Sequence, residues 1–434
     1  MKKTVLLLFI FFQCNSYAKI EIVFWHSMAG QLGKTLMEIT DQFNLSQTKY
    51  NVIPVYKGTY PETLTGLVAS FRAKLHPDIV QICDIGTATM IYPEGIIKPL
   101  YELLFETGTY INRNNYITSI FDYYSNDKNE LMALPFNVST AVLFYNKTLF
   151  EKSGIKDPPE SWAMVEKQSL KLIENGVECG LTTTWPSWVN LESFSVTHNI
   201  EFASSQNGFK GLDVKLLLNN FKIIDHINRL YKWQKSNVFR YGGRIDDAQA
   251  LFTSQKCAML IQSSGAYADL NRSVGFTLGV SVLPTLHSHV DDSKGILIGG
   301  GSIWTLAGLS KQKHQGIAEF FMFLISPEVQ VKWQSRTGYI SIMKSDLLPI
   351  EKESNASKNV MIDIQKHIMN NTNKYKGIRL GYYSQIRDIL DQQLEAVWAG
   401  YKSANQSMDD AILEGNKILK RFKKNVNINK NEKK

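Results

Sequence analysis

At 434 residues, 44 % hydrophobic and 20 % charged, the chain is too long for one compact core and is sized for two lobes with a cleft between them. Its formal charge of +8 is concentrated at the ends: Lys2 and Lys3 carry two units, and Lys417 to Lys434 hold eight bases against one acid, leaving the body near neutral. That distribution excludes a nucleic-acid-binding face, and the basic run reads as a solvated or frayed end, or as a segment loosely attracted to an anionic membrane surface.

In chain order, Lys2 and Lys3, the apolar run from Val5 to Phe12 and the small residues Ser16 and Ala18 read as a signal peptide, residues 1–18, cleaved after Ala18. The run is far shorter than the roughly 20 residues a membrane span needs, and no later segment is long and apolar enough, so the mature product is expected to be exported and soluble. Three cysteines then remain, Cys83, Cys179 and Cys257. A Cys179–Cys257 bridge is conceivable in an oxidising compartment, although spacing alone does not establish it. His287 and His289, followed by Asp291 and Asp292, look like a polar loop rather than a metal site, and no cofactor is called for.

Ile20 to Phe24 is a β-rich run, followed by a helix with Leu32, Leu36, Ile39 and Phe43 on one face. A second short strand ends near Tyr56. Thr59 and Glu62 then have capping-box spacing, with Pro61 in the first turn, which holds Tyr60 at a helix N-terminus. Asp78 to Cys83 reads as a buried strand with Asp84 at its carboxyl end, where open α/β sheets collect ligands. Strand and helix alternate to about Tyr124, so this part is expected to be α/β with a largely parallel sheet. Leu131 to Asn146 forms two extended runs joined through Asn137, Ser139 and Thr140, and a helix is expected from Ser161 to Asn175. Trp185 and Trp188, three apart in a proline-broken loop, either pack on a neighbour or stack on a ligand. Cys257 to Gln262 is an apolar strand ending in Ser263, which can donate to a phosphate oxygen. Ile296 to Trp304 contains Gly299, Gly300 and Gly301, either a tight turn or a place where bare N–H groups lie against an anion. A helix from about Ser384 to Ala399 carries Arg387 in its first turn, where a bound anion would offset the unfavourable helix dipole.

The segments Phe24-Trp25-His26-Ser27-Met28, Tyr56-Lys57-Gly58 with Tyr60, Gly86-Thr87-Ala88-Thr89-Met90, Pro135-Phe136-Asn137 with Ser139-Thr140, Ile298-Gly299-Gly300, Thr337-Gly338-Tyr339, Arg379-Leu380-Gly381 and Gln385-Ile386-Arg387 run in order along the mature chain. In them the sequence resembles the periplasmic sn-glycerol-3-phosphate-binding proteins of ABC-type uptake systems, within extracellular solute-binding protein family 1. The resemblance implies an α/β, two-lobed periplasmic binding protein fold of type II, similar to maltose-binding protein, with hinge strands between the lobes. The expected division is 19–130 with 297–326 as lobe one, and 131–296 with 327–434, including the basic tail, as lobe two. Carried over by position, Ser139, Ser263, the Gly300 N–H, Tyr339 and Arg387 look like phosphate ligands, while Tyr60, Asp84, Trp185 and Trp188 look like the glycerol end. The family commonly has Glu at position 84, and the shorter Asp84 leaves room for a bridging water or a larger glycerophosphodiester.

The resulting expectation is a periplasmic substrate-binding protein, monomeric in isolation, that captures sn-glycerol 3-phosphate and hands it to ABC permease subunits in the inner membrane. Binding proteins for a glycerophosphodiester such as glycerophosphocholine, or for a sugar, are the alternatives. A secreted phosphoester hydrolase would need a metal cluster or an activated nucleophile, and the sequence offers no GxxxxGK[ST], HExxH or GxSxG pattern for either.

Overall fold

The computed structural model describes residues 18–286, 295–349, 362, 364–366, 368, 369 and 375–431. Residues 1–17 of the expected signal peptide, the His287–Asp292 loop and Glu432 to Lys434 of the basic run lie outside them.

Among the described residues ten strands form two sheets: β1 (Ile20–His26), β2 (Tyr50–Tyr56), β3 (Ile79–Cys83), β4 (Ile97–Lys98), β5 (Leu134–Ser139), β6 (Ala141–Asn146), β7 (Cys179–Thr183), β8 (Cys257–Ser263), β9 (Leu278–Ser281) and β10 (Gly299–Leu306). The first sheet runs β2-β1-β3-β10-β4 with β5 also on β10; the second runs β7-β8-β6-β9. β1 is parallel to β2 and β3, but β10 is antiparallel to β3, β4 and β5. The first sheet is therefore mixed rather than largely parallel. The strand before β10, β9, belongs to the second sheet, so β10 is not the second strand of a βαβ unit within the first sheet, the arrangement that would set it parallel.

β6 is buried along its whole length. Its period of two explains how: Val142 and Phe144 join one apolar cluster with the first sheet, whereas Ala141, Leu143 and Tyr145 face a second cluster with Leu181, Met259 and Ile386. β5 ends at Ser139 and β6 begins at Ala141, so Thr140 alone separates the two sheets. Its hydroxyl donates to Leu297 O at 3.0 Å, and its carbonyl accepts from Ser264 N at 2.8 Å, tying this crossing to the returning strand and to β8. β5, counted above with residues 131–296, hydrogen-bonds into the first sheet. The helix Pro327–Thr337, counted with 327–434, places Val329 and Trp333 in the first cluster.

Local signals are obeyed where they are strong. Thr59 and Glu62 form both halves of a capping box at the start of the helix Tyr60–Arg72. The side chain of Ser161 caps the helix Trp162–Glu174 by accepting from Met164 N at 3.3 Å. Cys179 and Cys257 lie opposite each other in the β7–β8 register, 4.5 Å apart at Cα, and are disulfide-bonded; Cys83 is free and buried.

From Lys417 to Asn431 the basic run is not a frayed end. It is the second half of a helix, Ala404–Asn431, whose Met408, Ala411, Leu419, Phe422 and Val426 are buried. Phe422 fills the space above Gly381 and meets Tyr382 edge-on at 4.9 Å. The density of charge concealed an apolar stripe at helical spacing, and that stripe docks the segment. Phe422→Ala is expected to cost about 3–5 kcal/mol, while exposed Lys424→Ala stays within about 0.5 kcal/mol, read from denaturant midpoints.

Candidate functional site

The three glycines form the first residues of β10 rather than a turn, and each admits a different neighbour. A Cβ on Gly299 would lie 2.7 Å from the Trp188 indole, and one on Gly300, at φ +91°, would lie 1.9 Å from Asn137 O. The strand is thereby pressed between the π-helical turn Trp188–Ser193 of the second lobe and β5 of the first. Gly299 pairs with Ser139 in this register, which sets Ser139, Gly300 and Trp188 side by side at the lobe junction.

One polar chain runs through the first lobe to this point. Gln81 Oε1 accepts from Ser27 N at 2.8 Å, Gln81 Nε2 donates to Asn137 Oδ1 at 2.7 Å, and Asn137 Nδ2 donates to the Tyr60 hydroxyl at 2.7 Å. Burial, then the neighbouring Tyr339 and Cys83, push the Tyr60 hydroxyl well above its ordinary pKa, so it stays protonated and can donate. Tyr339 stands beside the same hydroxyl and the Asn137 amide. Its ring stacks on Trp333 at 5.7 Å and lies against Gly265, two residues past Ser263. Ser263 Oγ accepts from Gly265 N at 3.2 Å.

Arg387 lies just past the first turn of the helix Tyr383–Trp398. Its Nε and Nη2 donate to the two carboxylate oxygens of Glu192, both at 2.7 Å, and Nη2 also reaches Asp84 Oδ2 at 3.3 Å. Glu192 belongs to the π-helical turn of the second lobe, whereas Asp84 follows β3 of the first. One guanidinium thus bridges both lobes, with the Tyr383 ring 5.4 Å beneath it. No hydrogen bond among the described residues uses its Nη1. Burial raises Asp84 to a pKa of about 6; Arg387 opposes that rise and Glu192 adds to it. The adjacent Cys83 thiol is pushed up to about 12 by burial and by Asp84, which leaves it unreactive.

Trp185 stands apart from this cluster. Its backbone is left-handed at φ +46°, and its indole N–H donates to Asp246 Oδ1 at 2.9 Å. Asp246 also accepts from Gln262 Nε2 at 3.0 Å, and Gln262 Oε1 accepts from Ser263 N at 3.0 Å. Trp185 and Ser263 are linked in this way to one network.

The structure therefore brings Tyr60, Tyr339 and Gly300 to Asn137, sets Ser139 and Trp188 beside Gly299, and joins Asp84 and Glu192 through Arg387. Tyr60 and Tyr339, expected at opposite ends of a ligand, have neighbouring hydroxyls; so too Asp84 and Arg387, likewise assigned to opposite ends, form an ion pair. Sequence reasoning did not select Gln81, Glu192 or Asp246. Gln81 was detectable as an amide inside the apolar run Ile79–Cys83. Glu192 offered only an acid among Val189, Leu191 and Phe194, with nothing to reveal its π-helical placement. Among the described residues no group of three His, Cys, Asp or Glu side chains could hold a metal ion, and no helix is long and apolar enough to cross a membrane.

Residues 29–331 match the bacterial extracellular solute-binding protein family. The chain is 37 % identical over 418 residues to the sn-glycerol-3-phosphate-binding periplasmic protein UgpB of Escherichia coli O1:K1 and to that of Shigella flexneri serotype 5b, covering 95 % of either partner in each comparison. Among solved structures it is similar to UgpB from Mycobacterium tuberculosis in complex with glycerophosphocholine, with 20 % identity, a TM-score of 0.73 and coverage of 92 % of this chain and 98 % of that one. It is also similar to the GacH receptor of Streptomyces glaucescens GLA.O, with 17 % identity, a TM-score of 0.76 and coverage of 93 % and 99 %. These structures share the two-lobed, maltose-binding-protein-like fold.

The raised pKa of Asp84 has a defined sign. Its folded value, about 6, lies above that of an unfolded aspartate, about 4, so the native state holds an extra proton between those limits. Asp84 therefore favours folding at the acid end of the window, and that contribution is lost as the pH rises through about 6. The stability of Asp84→Asn relative to the wild type is expected to grow from about pH 4 to about pH 6 and then level off, as measured by denaturant unfolding across that range.

Proposed function

The chain belongs to the bacterial extracellular solute-binding protein family, and on that premise we propose that it binds sn-glycerol 3-phosphate between its lobes and delivers it to the permease subunits of an ABC importer. The observation that carries this reading is the 37 % identity, over 95 % of both chains, to periplasmic proteins named for that ligand. The same relatives support a periplasmic location and a carrier's role, in which no bond is made or broken.

The chemistry of the lobe junction supports the assignment. Ser139, Ser263, Tyr339 and the Gly300 N–H supply neutral donors for phosphate oxygens. Arg387 adds the remaining donors on Nη1 while Glu192 fixes the direction of its guanidinium. Tyr60, Asp84, Trp185 and Trp188 are left to meet the glycerol hydroxyls and carbons. A ligand touching groups of both lobes stabilises the closed arrangement over an open one, and that differential contact is what drives closure.

Calorimetric titration with sn-glycerol 3-phosphate, glycerophosphocholine, maltose and inorganic phosphate tests the reading. Binding of the first is expected; heat with maltose alone would overturn it, and heat with glycerophosphocholine alone would move the assignment to the diester. Arg387→Lys keeps a cation beside Glu192 but loses the planar fork. It is expected to weaken sn-glycerol 3-phosphate at least about tenfold, and unchanged affinity would remove Arg387 from the ligand set.

A further inference from the structure

The helix Ala404–Asn431 has a second face that neither the core nor the cleft uses. Opposite its buried stripe of Ala411, Leu419, Phe422 and Val426 lie Lys417, Lys420, Arg421 and Lys424, all exposed and at i, i+3, i+4 and i+7 on one helix face. Leu413, 60 % exposed, and Ile428, 42 % exposed, extend the same line at either end. From Leu413 to Ile428 the stripe is about 22 Å long at the helical rise. The acids of the helix, Asp409, Asp410 and Glu414, come before the bases, and Asp410 is engaged by Lys402 at 2.8 Å. Lys423, to one side, is paired with Asp213 at 3.1 Å. Arg421 is steadied by Gln385 and lies over the Tyr382 ring. The rest of the body is near neutral, and these four bases equal half of the chain's formal charge of +8.

We propose that this face is a docking surface for an anionic lipid leaflet, with the bases on headgroup phosphates and Leu413 and Ile428 at the edge of the acyl region. A straight helix presents a line rather than a pocket. Long bases along one helix face, flanked by exposed aliphatic residues, match a flat layer of mobile phosphates better than the fixed acids of a protein surface. None of these residues is among those gathered at the cleft, so the inference stands apart from the identity of the ligand. Each base near such a surface strengthens adsorption roughly fivefold, and the gain fades with salt.

Co-sedimentation of the purified chain with vesicles tests this. One set is pure phosphatidylcholine; in the other a third of the lipid is replaced by phosphatidylglycerol. Partition onto the anionic vesicles at low salt is expected, with little onto the neutral ones and release as salt is raised. The triple variant Lys417→Gln, Lys420→Gln, Lys424→Gln is expected to lose about a hundredfold in partition. Its circular dichroism and its calorimetric ligand affinity should be unchanged, and the matching Lys→Arg triple should bind vesicles as the wild type does. Failure to partition at low salt, equal partition onto both vesicle types, or partition untouched by salt would each overturn the proposal whatever the variants do.

Discussion

One cation, Arg387, is shared between the two lobes at their junction. A buried guanidinium without a partner costs several kcal/mol, and Glu192 meets that cost inside the second lobe with a two-pronged pair at 2.7 Å. The fork fixes where Arg387 points before the first lobe contributes anything. Asp84 then approaches from the other lobe at 3.3 Å, a longer contact made to a charge already committed elsewhere. This is why desolvation governs Asp84 despite the arginine beside it. The junction has one close, two-pronged ion pair and one longer contact to a second carboxylate.

What brings these groups together is strand order. β3 delivers Asp84 at its carboxyl end, while β10, antiparallel to it, starts at the same edge and delivers the glycines. β5 and β6 pass from one sheet to the other across Thr140, and the hydroxyl of Thr140 ties that passage to the returning segment at Leu297. Those two crossings are joined at one point, and a third passage carries the chain from Ile340 and Ile342 in the first cluster to Ile378 and Leu380 in the second.

Much of the architecture was legible from local rules. The capping box before Tyr60 located the start of its helix, and the helices expected over Ser161 to Asn175 and Ser384 to Ala399 are found at Trp162–Glu174 and Tyr383–Trp398, because helix signals depend on neighbours in the chain. Asp84 was recognised from its place at a strand end. The sheet direction was not legible, since β10 joins the first sheet only after more than a hundred intervening residues. Nor was Glu192: a π-helical turn shifts which residues face inward, and periodicity assumes an ordinary helix. The tail misled for the opposite reason, its charges drawing attention from Leu419, Phe422 and Val426.

By itself the sequence determined the elements, the export of charge to the ends, the family pattern and a set of residues able to donate to a phosphate, because all of these are carried by residue type and short-range spacing. Only the tertiary structure decided that Cys179 and Cys257 meet, that Arg387 is shared between Glu192 and Asp84, and that Tyr60 and Tyr339 have adjacent hydroxyls. Those facts depend on distances between points far apart in the chain, which are set by sheet order and by packing across the junction, and no local pattern encodes them.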